Sequence, residues 1–342
     1  MPNETTQTDL FGDVLAVSAA TDKNSSSTRT KSVLPATPTV EIIDAASALP
    51  PHIYLGTSSW SFAGWGGLVY AGTYTESQLA KHGLNAYSAH PLLNTVSIDR
   101  TFYAPICAED FAAYARQVPS SFQFIVKAPM AITSSYIRDD KGNFTDSPHY
   151  LDANYATDMF IAHATLGLKE KAGPLVFQFP PQGNRVTANV DAFINRLYRF
   201  LNVLPPGIRY AVEVRDAALL TNRFFKCLDA TNTLFCIASH ANMPSPAKQI
   251  LCMNQHLKFD DFICRWSLHA GFKYADAKSR YLPFNKLVDE DIDSRQAIAS
   301  AIAAATRRGH KSFVTINNKA EGSAPWSVLK LAEAINAEMT KP

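Results

Sequence analysis

From Ile53 onward, short runs of β-branched, aromatic and aliphatic residues alternate with longer segments in which apolar positions recur every three or four residues. That order builds a parallel sheet with crossover helices. The apolar runs predict eight strands, at 53–58, 95–99, 122–127, 175–179, 209–215, 234–238, 262–266 and 312–317. Helical periodicity predicts helices at 152–166, 189–203, 222–230, 291–307 and 326–338. Between 239 and 260 the pattern breaks and prolines intervene, which predicts one crossover degraded to a loop. Eight such units suit a closed α/β fold, a TIM-like (β/α)8 barrel. No GxGxxG or GxxxxGKS loop follows the first strand, so an open doubly wound sheet is the alternative rather than the first reading.

Residues 1–48 differ in kind: Ser, Thr, Ala and Asn dominate and neither period is sustained. The expectation is a disordered leader over 1–48 and one barrel domain over 49–342. The whole chain is 46% hydrophobic and 18% charged, a balance that supports a folded core. With 32 basic and 30 acidic residues the formal charge is +2, too small to draw the protein to a polyanion, although a local basic groove leaves direct nucleic-acid binding open. The apolar run at 297–305 falls short of the roughly 18 residues a membrane span needs. The five cysteines form no CxxC pair, which argues for reduced thiols rather than disulfides or structural zinc. Glu4, Asp9 and Asp13 stand where a secretory signal carries basic residues, and a cytoplasmic location is expected.

Charge matters more at the strand ends. Barrel strands are buried on both faces, so polar residues within them need a reason. Ser97 and Asp99 end the second strand on one pleat face, with Thr101 and Tyr103 following at the same spacing, Lys127 ends the third, and Gln178 lies in the fourth. Glu213 and Arg215 share a face of the fifth, Arg265 sits in the seventh, and Asn317 ends the eighth. Singly, each has a bland alternative: a snorkelling stem, a turn, a local ion pair. Together they converge on the C-terminal mouth, where barrel enzymes place their chemistry.

Lys127 and Glu213 are the candidate catalytic pair: Glu213 as acid or base if burial raises its pKa, Lys127 as proton donor, Schiff-base nucleophile or anion clamp if its own is lowered. Arg215 and Arg265 suit bidentate recognition of a carboxylate or phosphate, which points to a small anionic substrate. Trp60, Asp99, Tyr103, Gln178 and Asn317 complete the candidate binding set. No HxH or HExxH spacing occurs, and His240 and His269 are the only plausible loop ligands, so neither a metal nor another cofactor is expected. The aromatic run from Trp60 to Trp65, and a second pair at Phe102 and Tyr103, read either as a stacking surface for a sugar or base or as an apolar lid.

The motifs GTSSWSFAGW (56–65), NTVSIDRTFY (94–103), FQFIVKAP (122–129), GPLVFQFPP (173–181), YAVEVR (210–215) and NN-x-x-x-G-x-A-P (317–325), in this order, resemble the domain-of-unknown-function 72 (DUF72) family. The resemblance implies a TIM-like barrel and no established activity. Ser97, Asp99, Asp216 and Ser323 stand where the family's pattern carries Glu, Asn, His and His. Separately, Gln7, Leu10 and Phe11 resemble the Gln-x-x-Leu-Phe peptide by which bacterial polymerases and repair proteins dock on the sliding clamp, with an unremarkable tail as the alternative. The function expected is an enzyme of acid–base type acting on a phosphorylated or nucleotide-like anion. The alternative is a noncatalytic ligand-binding or clamp-recruited accessory protein.

Overall fold

Eight parallel strands hydrogen-bond to one another in sequence order: β1 (Ile53–Thr57), β2 (Thr95–Ile98), β3 (Gln123–Lys127), β4 (Ala172–Phe179), β5 (Tyr210–Val214), β6 (Leu234–Ser239), β7 (Phe262–Trp266) and β8 (Ser312–Ile316). β8 returns to β1 in a register running from Ser312 opposite Ile53 to Ile316 opposite Thr57, which closes the barrel. The computed structural model describes residues 32–138, 143–258, 260–269, 272 and 274–341.

Strand periodicity sorts the side chains into two layers. Ile125, Val176, Ala211, Cys236, Ile263 and Phe313 point inward and fill the lower half of the barrel, Phe313 stacking on Tyr54 with ring centroids 4.8 Å apart. Their neighbours in sequence, such as Phe124, Phe177, Val212, Ile237 and Val314, point outward into the larger core beneath the helices. Six helices start where a polar side chain accepts an orphan backbone N–H, at Thr39, Thr75, Asp152, Asn189, Thr221 and Asp291. Helices Ala108–Ala115 and Ala162–Leu168 approach so closely that a Cβ on Gly167 would lie 2.4 Å from Ala108 O.

Two sequence expectations change. The segment 239–260 is not a loop: it carries helix Pro246–His256. Its proline occupies the first helical turn, where a missing N–H costs nothing. Buried Gln249 then folds its amide back onto β6, accepting from Ala238 N at 3.1 Å and donating to Ala238 O at 2.7 Å. The leader boundary also moves, because helix Val40–Ser47 lies within the segment expected to lack structure. It buries only Ile42 and Ala45, too little for a periodic signal, and Asn336 of helix Ala324–Met339 donates to Ala45 O at 2.9 Å. Residues 1–31, with Gln7, Leu10 and Phe11, lie outside the described residues. Among the described residues no helix is long and apolar enough to cross a membrane.

Candidate functional site

Above the apolar lower layer, the inward-facing positions turn polar. Lys127 is in register with Val176, Gln178 with Glu213, and Arg265 with Thr315, so these groups line the inner wall toward the C-terminal mouth. Lys127, Gln178, Glu213, Arg215 and Arg265 are all buried, with Gln178 and Glu213 at 0% exposure.

Arg265 organises the mouth. Its Nη1 donates to Glu213 Oε2 at 2.7 Å and its Nη2 to Asp99 Oδ2 at 2.6 Å. The second oxygen of Glu213 accepts from Arg215 Nε at 3.0 Å, and Asp99 Oδ1 accepts from Ser97 Oγ at 2.5 Å. Burial pushes the Glu213 carboxyl up, but Arg265 and Arg215 outweigh it and hold the group at about 2. Glu213 is thus a fixed carboxylate rather than the proton carrier that burial alone would make it. The Asp99 side chain, 31% exposed, is where the network meets solvent.

Lys127 stands apart from this pairing. Its Nζ lies 3.5 Å from the centre of the Phe102 ring and, among the described residues, makes no ion pair or hydrogen bond. Thr101 Oγ1 fixes the backbone beneath it by donating to Lys127 O at 2.5 Å. Burial lowers the amine from 10.5 to about 7, with Asp99 and Glu213 opposing and Arg265 and Arg215 reinforcing the shift. Three cations therefore share the mouth with two carboxylates, both of which are already held by arginines.

Gln178 has neither amide atom hydrogen-bonded, and Thr95 Oγ1, Thr315 Oγ1 and Arg265 Nε are likewise buried without partners. Each unmet group costs about 1–3 kcal/mol, a cost proteins tolerate where a ligand or water completes the set. The other expected binding residues divide. Tyr103 is 41% exposed beside Phe102. Asn317 ties loops together, its Nδ2 donating to Ser58 Oγ at 2.8 Å and its Oδ1 accepting from Lys319 N at 3.0 Å. Trp60 is a packing residue rather than a stacking surface: it is buried, donates its indole N–H to Leu79 O at 3.1 Å and meets Tyr114 edge-on. Trp65 is also buried, bonded to Asn318 Oδ1 at 3.1 Å, and its neighbour Phe62 packs on Phe284, as a lid requires.

The sequence offers His240 only as a possible metal ligand and Phe102 only as part of an aromatic cluster, not as the ring beneath Lys127. His240 follows β6, accepts weakly at Nδ1 from Asn242 N at 3.4 Å, and is lowered to about 4 by burial and by Arg215, so it is neutral at pH 7. Asp260, Asp261 and His310 place possible metal ligands within 4.8 Å of one another, but at the strand starts, opposite the mouth. Arg209 lies 3.1 Å from Asp260 and 3.3 Å from Asp261. A cavity of about 300 Å³ opens at that same end, bordered by Asn232, Met253 and Lys258. Its walls include none of the mouth residues, and the convergence of buried charge makes the mouth the stronger candidate despite that cavity.

The positions that depart from the family pattern are built into this structure. Ser97 and Asp99 bond each other, and Asp99 supplies the carboxylate on Arg265. Asp216 Oδ2 accepts from Gln182 N at 2.8 Å, and Ser323 is fully buried at the start of helix Ala324–Met339.

Comparison with solved structures finds the same barrel. A DUF72 family protein from Enterococcus faecalis V583 matches with a TM-score of 0.56 at 16% identity, over 83% of this chain and 95% of that one. A DUF72 family protein from Thermotoga maritima MSB8 matches with a TM-score of 0.55 at 19% identity, over 82% and 98%. No curated protein matches the sequence. The model of the family described as "Protein of unknown function DUF72" matches residues 54–342, from the second residue of β1 through the last helix, and the chain belongs to that family.

Proposed function

We propose that the protein is an enzyme acting on a small anionic substrate, phosphorylated or nucleotide-like, bound at the C-terminal mouth of the barrel. The observation that carries this reading is Lys127: a buried amine without an ion-pair partner among the described residues, set beside two carboxylates that arginines already occupy. One cation in excess favours an anion, and Lys127 is the one cation there that can give up its proton, since arginine does not deprotonate in proteins. Lys127 then moves the proton, while Glu213 holds Arg215 and Arg265 in position. Gln178, Asp99, Tyr103 and Asn317 border the ligand. Screening phosphorylated and nucleotide compounds against the intact protein and Lys127→Met tests this. The expected result is a turnover that Lys127→Met lowers by roughly 100-fold or more; equal turnover by both proteins overturns it.

The rival reading is a noncatalytic ligand-binding protein recruited to a sliding clamp through Gln7, Leu10 and Phe11. It is favoured by the closure of the Asp99–Arg265–Glu213 network on itself. Clamp retention lost on deleting residues 7–11, with no turnover in the screen, supports the rival; equal retention removes it.

A further inference from the structure

Excess positive charge accounts for anion binding, yet it leaves two features of the mouth without a purpose. The first is the state of Lys127. The groups facing it are Asp99 at the end of β2, Glu213 and Arg215 at the end of β5, Arg265 on β7, and the Phe102 ring. Two negative and two positive neighbours nearly offset one another, so burial decides, and the amine is about half neutral at pH 7. A neutral buried amine is a nucleophile as well as a base.

The second is Gln178. It stands on β4 in register with Glu213, two residues beyond Val176, the partner of Lys127. That places it on the inner wall between Lys127 and Glu213, wholly buried, with both amide atoms unpartnered. The unmet hydroxyls of Thr95 and Thr315 and the unmet Nε of Arg265 belong to one row of register partners, linked through Gly56. The inner wall thus offers a neutral donor and acceptor on the strand next to that of Lys127, and a further set of donors around the barrel.

We propose that the substrate is a carbonyl compound, an aldehyde or ketone that also carries a carboxylate or phosphate, and that Lys127 joins it as an imine while Gln178 hydrogen-bonds the carbonyl oxygen. The Nζ lone pair attacks the carbonyl carbon, forming the N–C bond as the C=O π pair moves to oxygen. A proton passes from nitrogen to that oxygen to give the carbinolamine. The nitrogen lone pair then forms C=N as the C–O bond breaks, and the proton still on nitrogen passes to the departing hydroxyl, which leaves as water. Amine and carbonyl become imine and water, and no oxidant or reductant is consumed. The Gln178 amide donates to the oxygen while negative charge builds on it. Neither Glu213 nor Asp99 carries a proton in these steps.

This inference rests on the proposed reading of the mouth as a small-anion site. The intact protein is incubated with pyruvate or glycolaldehyde phosphate, reduced with sodium borohydride, digested and mapped by mass spectrometry. The expected result is a single adduct at Lys127 and none at that position in Lys127→Met, with folding of the variant checked by circular dichroism. Gln178→Met, which keeps the amine, is expected to lower the adduct yield at least tenfold while the pH midpoint of labelling stays near 7. Labelling spread over exposed lysines, equal in the intact protein and Lys127→Met, overturns the imine. Thermal shift with inorganic phosphate separates the two levels. A shift that needs Lys127, found without an adduct, overturns the imine and leaves the anion site standing, and absence of both shift and adduct overturns both.

Discussion

Glu213 and Arg265, 52 residues apart in sequence, meet at 2.7 Å inside the barrel with 0% and 3% of their side chains exposed. In so dry a setting neither tolerates the loss of the other. Glu213→Gln removes the charge that Arg215 and Arg265 share and is expected to destabilise the fold by about 3–5 kcal/mol in urea unfolding. The cost is expected to be pH-dependent. Because the folded carboxyl titrates at about 2 rather than 4.5, its contribution is full above 4.5 and vanishes as pH falls through 2. The intact protein and Glu213→Gln should therefore converge in stability across that acid range.

Lys127 gives the opposite window. The folded amine releases its proton near 7 and the unfolded one near 10.5, so between those values the unfolded chain binds the extra proton and stability rises with pH. The intact protein is expected to gain stability relative to Lys127→Met from pH 7 to 10.5. A flat difference across that range would mean that the amine is not desolvated.

Gln178→Met exchanges an unpartnered amide for an apolar side chain of similar size. The thermal midpoint is expected to rise, by an amount equivalent to about 1–3 kcal/mol, while ligand binding falls. A lower midpoint would mean that ordered water already completes the amide.

Gln249→Leu strips the Ala238 N–H and C=O of their partner at the end of β6. The expected loss is about 1–3 kcal/mol for each backbone group left unmet, read as a lower urea midpoint. Hydrogen exchange at Ala238 should accelerate with it.

The strands were legible because each is a mainly apolar run between breakers, and all eight fall within a few residues of their expected bounds. Helix Pro246–His256 was not, because its prolines read as breakers when one of them begins the helix. Glu213 beside Arg215 follows from a spacing of two. Arg265 joining them does not, since that contact spans 52 positions and the one to Asp99 spans 166. Trp60 misled for a different reason: an indole suits a core as well as a ligand, and its bond to Leu79 O is invisible without a fold. His240 and Phe102 acquire their roles only from Arg215 and Lys127, which packing brings to them.

Both terminal nitrogens of Arg265 are engaged, one by Glu213 and one by Asp99, and Asp99 is the more exposed of the two carboxylates. An oxyanion that took this outer donor would replace Asp99, an exchange of one anion for another, whereas one that took the unmet Nε would add to the network. In the exchange, affinity follows the difference between two similar contacts.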